Sequence, residues 1–258
     1  MLTTNRIVLR LNEQLVWTRQ RLAELQVREA LRDAGKSPKF PVEFRSQFGE
    51  DCYLWNLFDG KLDGFFVEAG AFDGYSLSVT YPLEAAGWSG LLVEAIPERF
   101  EQCRARRPHS RVVHAALTRR GGPDHIGFMV VDDQFGGMLS YLDKPTDHQK
   151  QIQRQQFAQR RVNVPAVTID SLLATVTQRV DVLVLDIEGG ELDALDGLDA
   201  ARFGPRVMLV EDNTYGRDQA LTAHFAGLPY VHAGWVEVNR VYIHKDEAGL
   251  LARAKALK

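Results

Sequence analysis

Two hydrophobic patterns alternate along most of the chain: short apolar runs and longer segments with helical spacing. Residues 64–67 are apolar with little alternation, which is typical of a strand buried on both faces of a parallel sheet. The turn Gly70-Ala71-Phe72-Asp73-Gly74 follows, and residues 75–86 then have helical spacing up to Gly87. A strand, a glycine turn and a helix in this order predict a Rossmann-like nucleotide-binding unit, because glycine allows a tight turn and close approach to a ligand.

The same patterns recur to the end of the chain. Helices are predicted from Pro97 and, with Thr168 as N-cap, from residue 169. The last two apolar stretches predict a hairpin around Asn239. Further strands are predicted at residues 90–94, 111–117, 125–131, 162–167, 181–189, 206–213, 230–238 and 240–244. The alternation predicts an α/β fold with a mostly parallel, doubly wound sheet.

The first forty residues differ from the rest. Residues 5–34 predict one long helix, and Gly35 to Pro41 form a linker, so we expect a helical extension at 1–40 and one domain at 41–258. Apolar side chains recur at spacings of three and four, as in a coiled coil, at Val8, Leu11, Leu15, Leu22 and Leu25, with Thr18 in the same series. The helix either packs along its own domain or joins a homo-oligomer, and the narrow stripe favours the oligomer.

Composition excludes several classes of protein. The 258 residues suffice for one large α/β domain, and a net charge of −3 gives no overall attraction to nucleic acid. Cys52 and Cys103 form neither a zinc-binding spacing nor a disulfide framework. No uninterrupted apolar core follows the first arginines, so we expect no signal peptide. There is no run of 18 apolar residues, so we expect a cytoplasmic protein without a membrane span.

The first glycine turn is unsuited to a dinucleotide. Gly70 and Gly74 do not make the Gly-x-Gly-x-x-Gly spacing of a pyrophosphate loop, and Glu68 would repel a pyrophosphate but attract an ammonium group. Glu94 ends the second strand 20 residues after Gly74, where an acid accepts hydrogen bonds from ribose hydroxyls. These features suit S-adenosylmethionine better than NAD. The alternatives are a structural turn and an ordinary acid at a strand end.

Five segments resemble the FkbM family of S-adenosylmethionine-dependent O-methyltransferases, and they occur in the family's order. They are residues 46–51, 66–74, 87–94, 168–173 and 181–189. The resemblance implies a seven-stranded class I methyltransferase sheet and methyl transfer to a hydroxyl, commonly of a sugar or a secondary metabolite. The expected cofactor-binding residues are Gln47, Glu68, Gly70, Asp73, Ser76, Glu94, Ala116 and Asp186.

Residues 132–161 form the longest irregular region and are predicted to be a substrate lid. Between residues 141 and 161 there are five Lys or Arg and two Asp residues. One hypothesis is that this charge attracts an anionic acceptor, such as a phosphorylated or nucleotide-linked sugar. The alternative is a solvated loop.

Acidic residues gather at the ends of two strands. Asp186 follows one strand, and Glu211 and Asp212 end the next. Adjacent parallel strands end at the same edge of a sheet, so we expect these carboxylates to converge and to bind Mg²⁺. The arrangement is similar to that of magnesium-dependent O-methyltransferases, with Asn213 as a further ligand. The alternative is that the acids cap the following helices.

The expected catalytic residues are Asp186 and Glu188, with Glu188 as general base and His148 or His232 as alternatives. The predicted function is methylation of a sugar hydroxyl in a natural product or glycan, assisted by a metal. One alternative is an NAD(P)-dependent oxidoreductase, which the missing Gly-x-Gly-x-x-Gly and Tyr-x-x-x-Lys sequences disfavour. The other is a cofactor-binding module without catalysis.

Overall fold

The computed structural model describes residues 2–132, 141–142, 158–217 and 219–257. The helices of this part of the chain are α1 (Leu2–Asp33), α2 (Glu50–Leu57), α3 (Tyr81–Ala86), α4 (Pro97–Arg106), α5 (Ile169–Leu173), α6 (Glu191–Asp196), α7 (Ala200–Phe203), α8 (Gln219–Ala226) and α9 (Ala248–Ala256). Its strands are β1 (Phe65–Ala69), β2 (Ser89–Glu94), β3 (Arg111–His114), β4 (Ala116–Leu117), β5 (His125–Asp132), β6 (Tyr141–Leu142), β7 (Ala158–Val167), β8 (Val182–Leu185), β9 (Val207–Glu211), β10 (Tyr230–Val236) and β11 (Asn239–His244).

Seven of the described strands form the central sheet, in the order β10-β11-β9-β8-β1-β2-β3. The strands from β9 to β3 are parallel, and β11 runs antiparallel to both of its neighbours. This confirms the predicted seven-stranded, mostly parallel sheet. The parallel order brings the carboxyl ends of β1, β2, β8 and β9 to one edge.

Both faces of the sheet are covered, which explains why its central strands lack alternation. Phe66 and Val184 face a core shared with α1, α2, α3 and α9. Val67 and Leu183 face the opposite core, with α5, α6 and α8. The expected double winding is therefore present, and the second half of α1 belongs to the first of these cores.

A second sheet of the described residues has the order β4-β7-β5-β6. The predicted irregular structure was wrong for residues 158–161, because they belong to β7 and pair with β5, as in the register of Arg160 with Val130. It was also wrong for Asp132, which ends β5, and for Tyr141 and Leu142, which pair with the other edge of β5. The remaining residues of the predicted lid, including His148, lie outside the described residues, and the lid role stays a prediction.

The helix predicted from residue 75 begins only at Tyr81. Residues 75–80 form a loop because side chains upstream bind its backbone. Asp73 accepts hydrogen bonds from the amides of Tyr75 and Ser76, and Glu68 accepts one from the Val79 amide. Such side-chain acceptors compete with helical hydrogen bonding.

Two other strand predictions needed correction. Residues 111–117 divide into β3 and β4, because the Ala115 amide donates to Glu94 O and the chain then moves to the second sheet. The hairpin turn lies at Glu237 and Val238, before the predicted Asn239, which begins β11. Glu237 has a positive φ of 49°, as tight hairpin turns require. The predicted N-cap is confirmed, since Thr168 Oγ1 accepts from the Ser171 amide.

Within the described residues, no helix combines the length and the apolar composition that crossing a membrane requires. The cytoplasmic location and the domain boundary at residue 40 stay predictions.

Candidate cofactor and acceptor site

A cavity of ≈ 730 Å³ lies at the carboxyl edge of the central sheet. Its floor comes from the ends of β1, β2, β8 and β9, and its walls from the start of α2, the loop before α3 and the start of β11. This is where open α/β sheets bind ligands. Its volume is within the usual range for small-molecule sites, roughly 300–1,000 Å³.

The cavity wall is strongly acidic. Its described lining has no Lys, Arg or His side chain. Six carboxylates line it: Glu50, Glu68, Glu94, Asp186, Glu188 and Glu211. Such a wall disfavours an anionic ligand and favours a cationic one.

Gly70 fits its position because β1 and β8 approach each other closely there. Its φ is +81°, and a Cβ atom would lie 1.7 Å from the carbonyl oxygen of Asp186. The amide of Asp186 donates to Ala69 O at 3.2 Å, which ties the two strand ends together. Phe72 and Gly74 also have positive φ, of 50° and 76°. The backbone therefore turns sharply around the floor of the cavity, where only glycine fits at position 70.

Glu94 lies in the cavity and also fixes the glycine turn. Its carboxylate accepts hydrogen bonds from the amides of Phe72 and Ile96, both at 2.7 Å. Burial raises its pKa to about 7, although these hydrogen bonds act in the opposite direction. Glu94 thus lies at the end of β2, at the position where the sequence predicts a residue that binds the ribose.

Glu68 holds the loop before α3. Its carboxylate accepts from Ser78 Oγ at 3.0 Å, the Val79 amide at 2.9 Å and Thr80 Oγ1 at 2.5 Å. Arg107, which is completely buried, lies 3.7 Å away. Most of the hydrogen-bonding capacity of Glu68 is therefore used within the protein.

The other expected cofactor residues divide into two groups. Gln47, Ser76 and Ala116 line the cavity. Asp73 does not, since its carboxylate binds Ser76 Oγ and forms an ion pair with Arg106. Asp73 therefore stabilises the glycine turn without lining the cavity.

Asp186, Glu188 and Glu211 form an acidic cluster at the ends of β8 and β9. One carboxylate oxygen from each lies within 4.8 Å of the others. The Asp186 side chain is exposed to the cavity. Because protein surrounds this cavity on most sides, removal from bulk water raises the pKa of Asp186. Burial and the charge of Asp186 raise the pKa of Glu188 to about 8. Burial, followed by the charges of Asp186 and Glu188, raises the pKa of Glu211.

Asp212 lies apart from the acidic cluster. It forms a buried ion pair with Arg240, 2.5 Å long, and accepts from the amides of Thr214 and Gly216 at 2.9 Å. Burial opposes its ionisation, but the hydrogen bonds from Thr214 and Arg240 outweigh burial and lower its pKa. The structure therefore does not bring this expected metal ligand to Asp186 and Glu211, whereas Glu188, expected only as a catalytic residue, is in the cluster.

The capping alternative is wrong for the two acids that follow β8. Gly190 is the N-cap of α6 and no side chain caps this helix, so Asp186 and Glu188 are not its caps. Glu191 holds the preceding turn by accepting from the amides of Ile187 and Gly189. That turn places Glu188 at a positive φ of 56°, a conformation that costs energy and often occurs at functional sites.

Sequence reasoning missed Glu50 and Asn239 as lining residues. Glu50 Oε1 accepts from Asn239 Nδ2 at 3.0 Å, and Asn239 is paired in register with Glu211. Burial raises the pKa of Glu50 to about 7. The only sequence signal was the position of Glu50 within residues 46–51, since Asn239 is brought here by the hairpin. His232 packs against Trp235 and is not among the described lining residues.

The chain is similar to one protein family and to several solved structures. Residues 68–230 match a family model described as the methyltransferase FkbM domain. Among solved structures, the METTL16 MTase domain (crystal form 2) has 11% identity and a TM-score of 0.43, over 80% of this chain and 68% of that chain. A TehB-like SAM-dependent methyltransferase from Corynebacterium glutamicum ATCC 13032 Kitasato has 14% identity and a TM-score of 0.38, over 84% and 93%. The delta-N METTL16 MTase domain has 13% identity and a TM-score of 0.38, over 90% and 97%. No curated protein matches the sequence.

Proposed function

The chain belongs to the FkbM methyltransferase family, and we propose that it methylates a sugar hydroxyl with the help of a divalent metal ion at the acidic cluster. Family membership makes it an S-adenosylmethionine-dependent methyltransferase. The oxygen specificity, the sugar acceptor in a natural product or glycan, and the metal are our proposals.

The acidity of the cavity is the observation that carries the proposal. S-adenosylmethionine has two positive groups, a sulfonium and an ammonium, against one carboxylate, so its net charge is positive, and it has no phosphate. Six carboxylates and no basic side chain among the described lining residues suit such a ligand. A dinucleotide would place its pyrophosphate against the same carboxylates, which disfavours the oxidoreductase alternative.

The residues of the floor suit the parts of this cofactor. Glu94, at the end of β2, would accept hydrogen bonds from the ribose hydroxyls, and Ala116 would leave room for the adenine ring. Gly70 would let the backbone approach the methionine part. Glu68 would contribute its negative charge, while its hydrogen bonds keep residues 78–80 in place.

The acidic cluster suits a hard divalent cation. Asp186, Glu188 and Glu211 offer only oxygen ligands, which Mg²⁺ prefers, and their mutual repulsion calls for a counter-charge. A metal ion bound there would lower the pKa of an acceptor hydroxyl. Asp186 and Glu211 would hold the ion from two adjacent strands, and Asp212 would take no part because Arg240 neutralises it.

Glu188 is the proposed proton acceptor. Its carboxylate lines the cavity within 4.8 Å of a carboxylate oxygen of Asp186, so it would be within reach of an acceptor hydroxyl held at the acidic cluster. Methyl transfer from a sulfonium needs alignment and the removal of one proton. The strained backbone at Glu188 would hold this carboxylate at the cavity wall beside Asp186.

A hydroxyl-rich acceptor suits the far wall of the cavity. Glu50, Asn213 and Asn239 line the side next to Glu211 and provide both hydrogen-bond donors and acceptors. Neighbouring hydroxyls of a sugar could bind there while one of them lies at the acidic cluster. The hypothesis of an anionic acceptor is weakened, because one of its five basic residues, Arg160, forms an ion pair with Glu98 at 2.6 Å.

Calorimetry with S-adenosylhomocysteine, NAD and NADP would test the cofactor. We expect binding of the first alone, and binding of NAD or NADP instead would refute the assignment. Methyl release from labelled S-adenosylmethionine with a panel of sugars, with and without EDTA, would test the acceptor and the metal. We expect Glu211→Gln to lower the metal-dependent rate by more than tenfold, whereas Asp212→Glu, the matched control, would keep metal dependence. Equal rates with and without EDTA would exclude the metal.

A further inference from the structure

The helix α1 has one face that belongs to its own domain. Five of its side chains are buried there: Gln20, Ala23, Glu24, Val27 and Leu31. Gln20 Nε2 donates to Ser46 O at 2.9 Å, and Glu24 accepts from the Phe44 amide at 3.2 Å. Hydrogen bonds and burial therefore fix the rotation of the second half of α1 about its axis.

The opposite face carries an apolar seam. The seam consists of Val8, Leu11, Leu15, Thr18, Leu22 and Leu25. Its five aliphatic side chains are between 48% and 61% exposed. Because each residue of an α-helix turns by about 100°, the seam lies about half a turn away from the buried face. The domain that holds α1 therefore cannot cover it.

The first half of α1 is packed against its own domain even less than the second half. The described side chains among residues 8–15 are all exposed. Isolated helices shorter than roughly 12–15 residues are marginal in water, and most helical stability comes from packing of the apolar face. An apolar stripe of this length on a helix that leaves its domain indicates an interaction surface.

We propose that the apolar seam pairs with the same seam of a second copy of this chain, in a parallel coiled coil. Spacings of three and four place Val8, Leu15 and Leu22 in one set of layers, and Leu11, Thr18 and Leu25 in the other. The layers of Val8 and Leu11 have the combination that favours two strands, a β-branched residue in the first set and leucine in the second. Thr18 fits a layer because its hydroxyl already donates to Gln14 O at 2.7 Å, so burial would leave no unpaired donor.

The residues beside the seam allow a second copy in the same register. In a parallel pair, Gln14 would face Arg19 of the partner subunit, and Arg21 would face the partner's Gln26, so that in each pair an amide oxygen can accept a hydrogen bond from a guanidinium. No like charges would meet beside the seam between Val8 and Leu25. The pairing would end at Leu25, because the same register would then bring Glu29 and Arg32 against their own counterparts. This complementarity favours self-association over a different partner, and most soluble oligomers are symmetric homo-oligomers.

Light scattering on the full chain tests the pairing. We expect a mass of two chains, each of 29.0 kDa, and a mass of one chain for the double variant Leu15→Glu and Leu22→Glu. Trp17→Glu is the matched control, because Trp17 is 61% exposed on the same helix but lies off the seam. It should stay dimeric. A cooperative thermal transition near the wild-type midpoint would show that the double variant is folded.

Crosslinking tests the orientation. Leu11→Cys should be joined to its counterpart by a short bismaleimide, because parallel pairing brings identical positions together, while Cys52 and Cys103 are buried. A wild-type mass of one chain, or a dimer that survives both glutamates, would overturn the proposal. A dimer that is lost with the glutamates but fails to crosslink would overturn its parallel orientation. These outcomes do not depend on methyl transfer.

Discussion

Replacing Gly70 by alanine should open the edge of the sheet where the cavity forms. The new Cβ would lie 1.7 Å from the carbonyl oxygen of Asp186, and even a tight Cβ contact is 3.0 Å, so the ends of β1 and β8 would have to separate. Overpacking of this kind costs about 1–3 kcal/mol. Loss of the hydrogen bond from the Asp186 amide to Ala69 would add roughly 0.5–1.5 kcal/mol.

Gly121→Ala separates this collision from backbone strain. Gly121 has a φ of +65°, close to the +81° of Gly70, but no atom lies within 4 Å of its Cβ position. Both variants should lose about 1–2 kcal/mol because an L-residue disfavours positive φ. Gly70→Ala should lose a further ~2–4 kcal/mol from the collision and the broken hydrogen bond. For a chain of this size that difference corresponds to a melting temperature lower by roughly 5–15 °C.

The assay is thermal unfolding of both variants by circular dichroism, followed by calorimetry with S-adenosylhomocysteine. Displacing Asp186 by about an ångström should weaken binding at least tenfold in Gly70→Ala, because misplacement of this size can cost roughly 10²-fold in function. Gly121→Ala should bind as the wild type does. Equal melting temperatures and equal affinities in the two variants would refute the close approach of β1 to β8.

Three further changes have defined outcomes. Because the folded pKa of Glu94 is about 7 and its ordinary value is 4.5, the folded state holds the proton more tightly, so this group makes stability fall as pH rises through that interval. Glu94→Gln should remove that part of the slope in melting temperatures measured from pH 5 to 8, and an unchanged slope would contradict the buried site. Arg240→Met should destabilise the protein by roughly 3–5 kcal/mol in urea unfolding, because it leaves Asp212 buried without a counter-charge. The double variant with Asp212→Asn should recover part of this loss, because asparagine has no charge and keeps an oxygen that can accept from the amides of Thr214 and Gly216. Thr168→Ala should cost ~1 kcal/mol through loss of the N-cap of α5, whereas Thr177→Ala, at an exposed position without a cap, should be close to neutral in the same assay.

The central strands could be predicted from sequence because a strand buried on both faces is a local pattern. Phe66 and Val67 face different cores, so neither could be polar, and the same is true along β8 and β9. The loop at 75–80 could not be predicted in this way. Its residues have acceptable helical spacing, but Glu68 and Asp73 bind its backbone from the preceding turn. Only the folded geometry shows which of two local hydrogen-bonding schemes prevails.

The acidic cluster shows the same limit. The sequence places Asp186 and Glu211 at one edge, and the parallel order of β8 and β9 brings them together. Successive side chains of a strand point to opposite faces, so an adjacent pair of acids cannot both point into one site. This rule alone favours a single ligand from β9. The partner of Asp212, Arg240, comes from β11 and has no signal near the acid in sequence.

The different surroundings of Glu211 and Asp212 link the fold to the proposed chemistry. Burial beside two other carboxylates raises the pKa of Glu211, whereas hydrogen bonds from Thr214 and Arg240 overcome burial and lower the pKa of Asp212. A cation that binds at the acidic cluster must therefore displace protons from Glu211 and its neighbours, but none from Asp212. Its affinity should rise with pH until the cluster is ionised. Above that pH the carboxylates of the empty cavity repel one another, and a positively charged ligand would relieve the repulsion and stabilise the folded state that binds it.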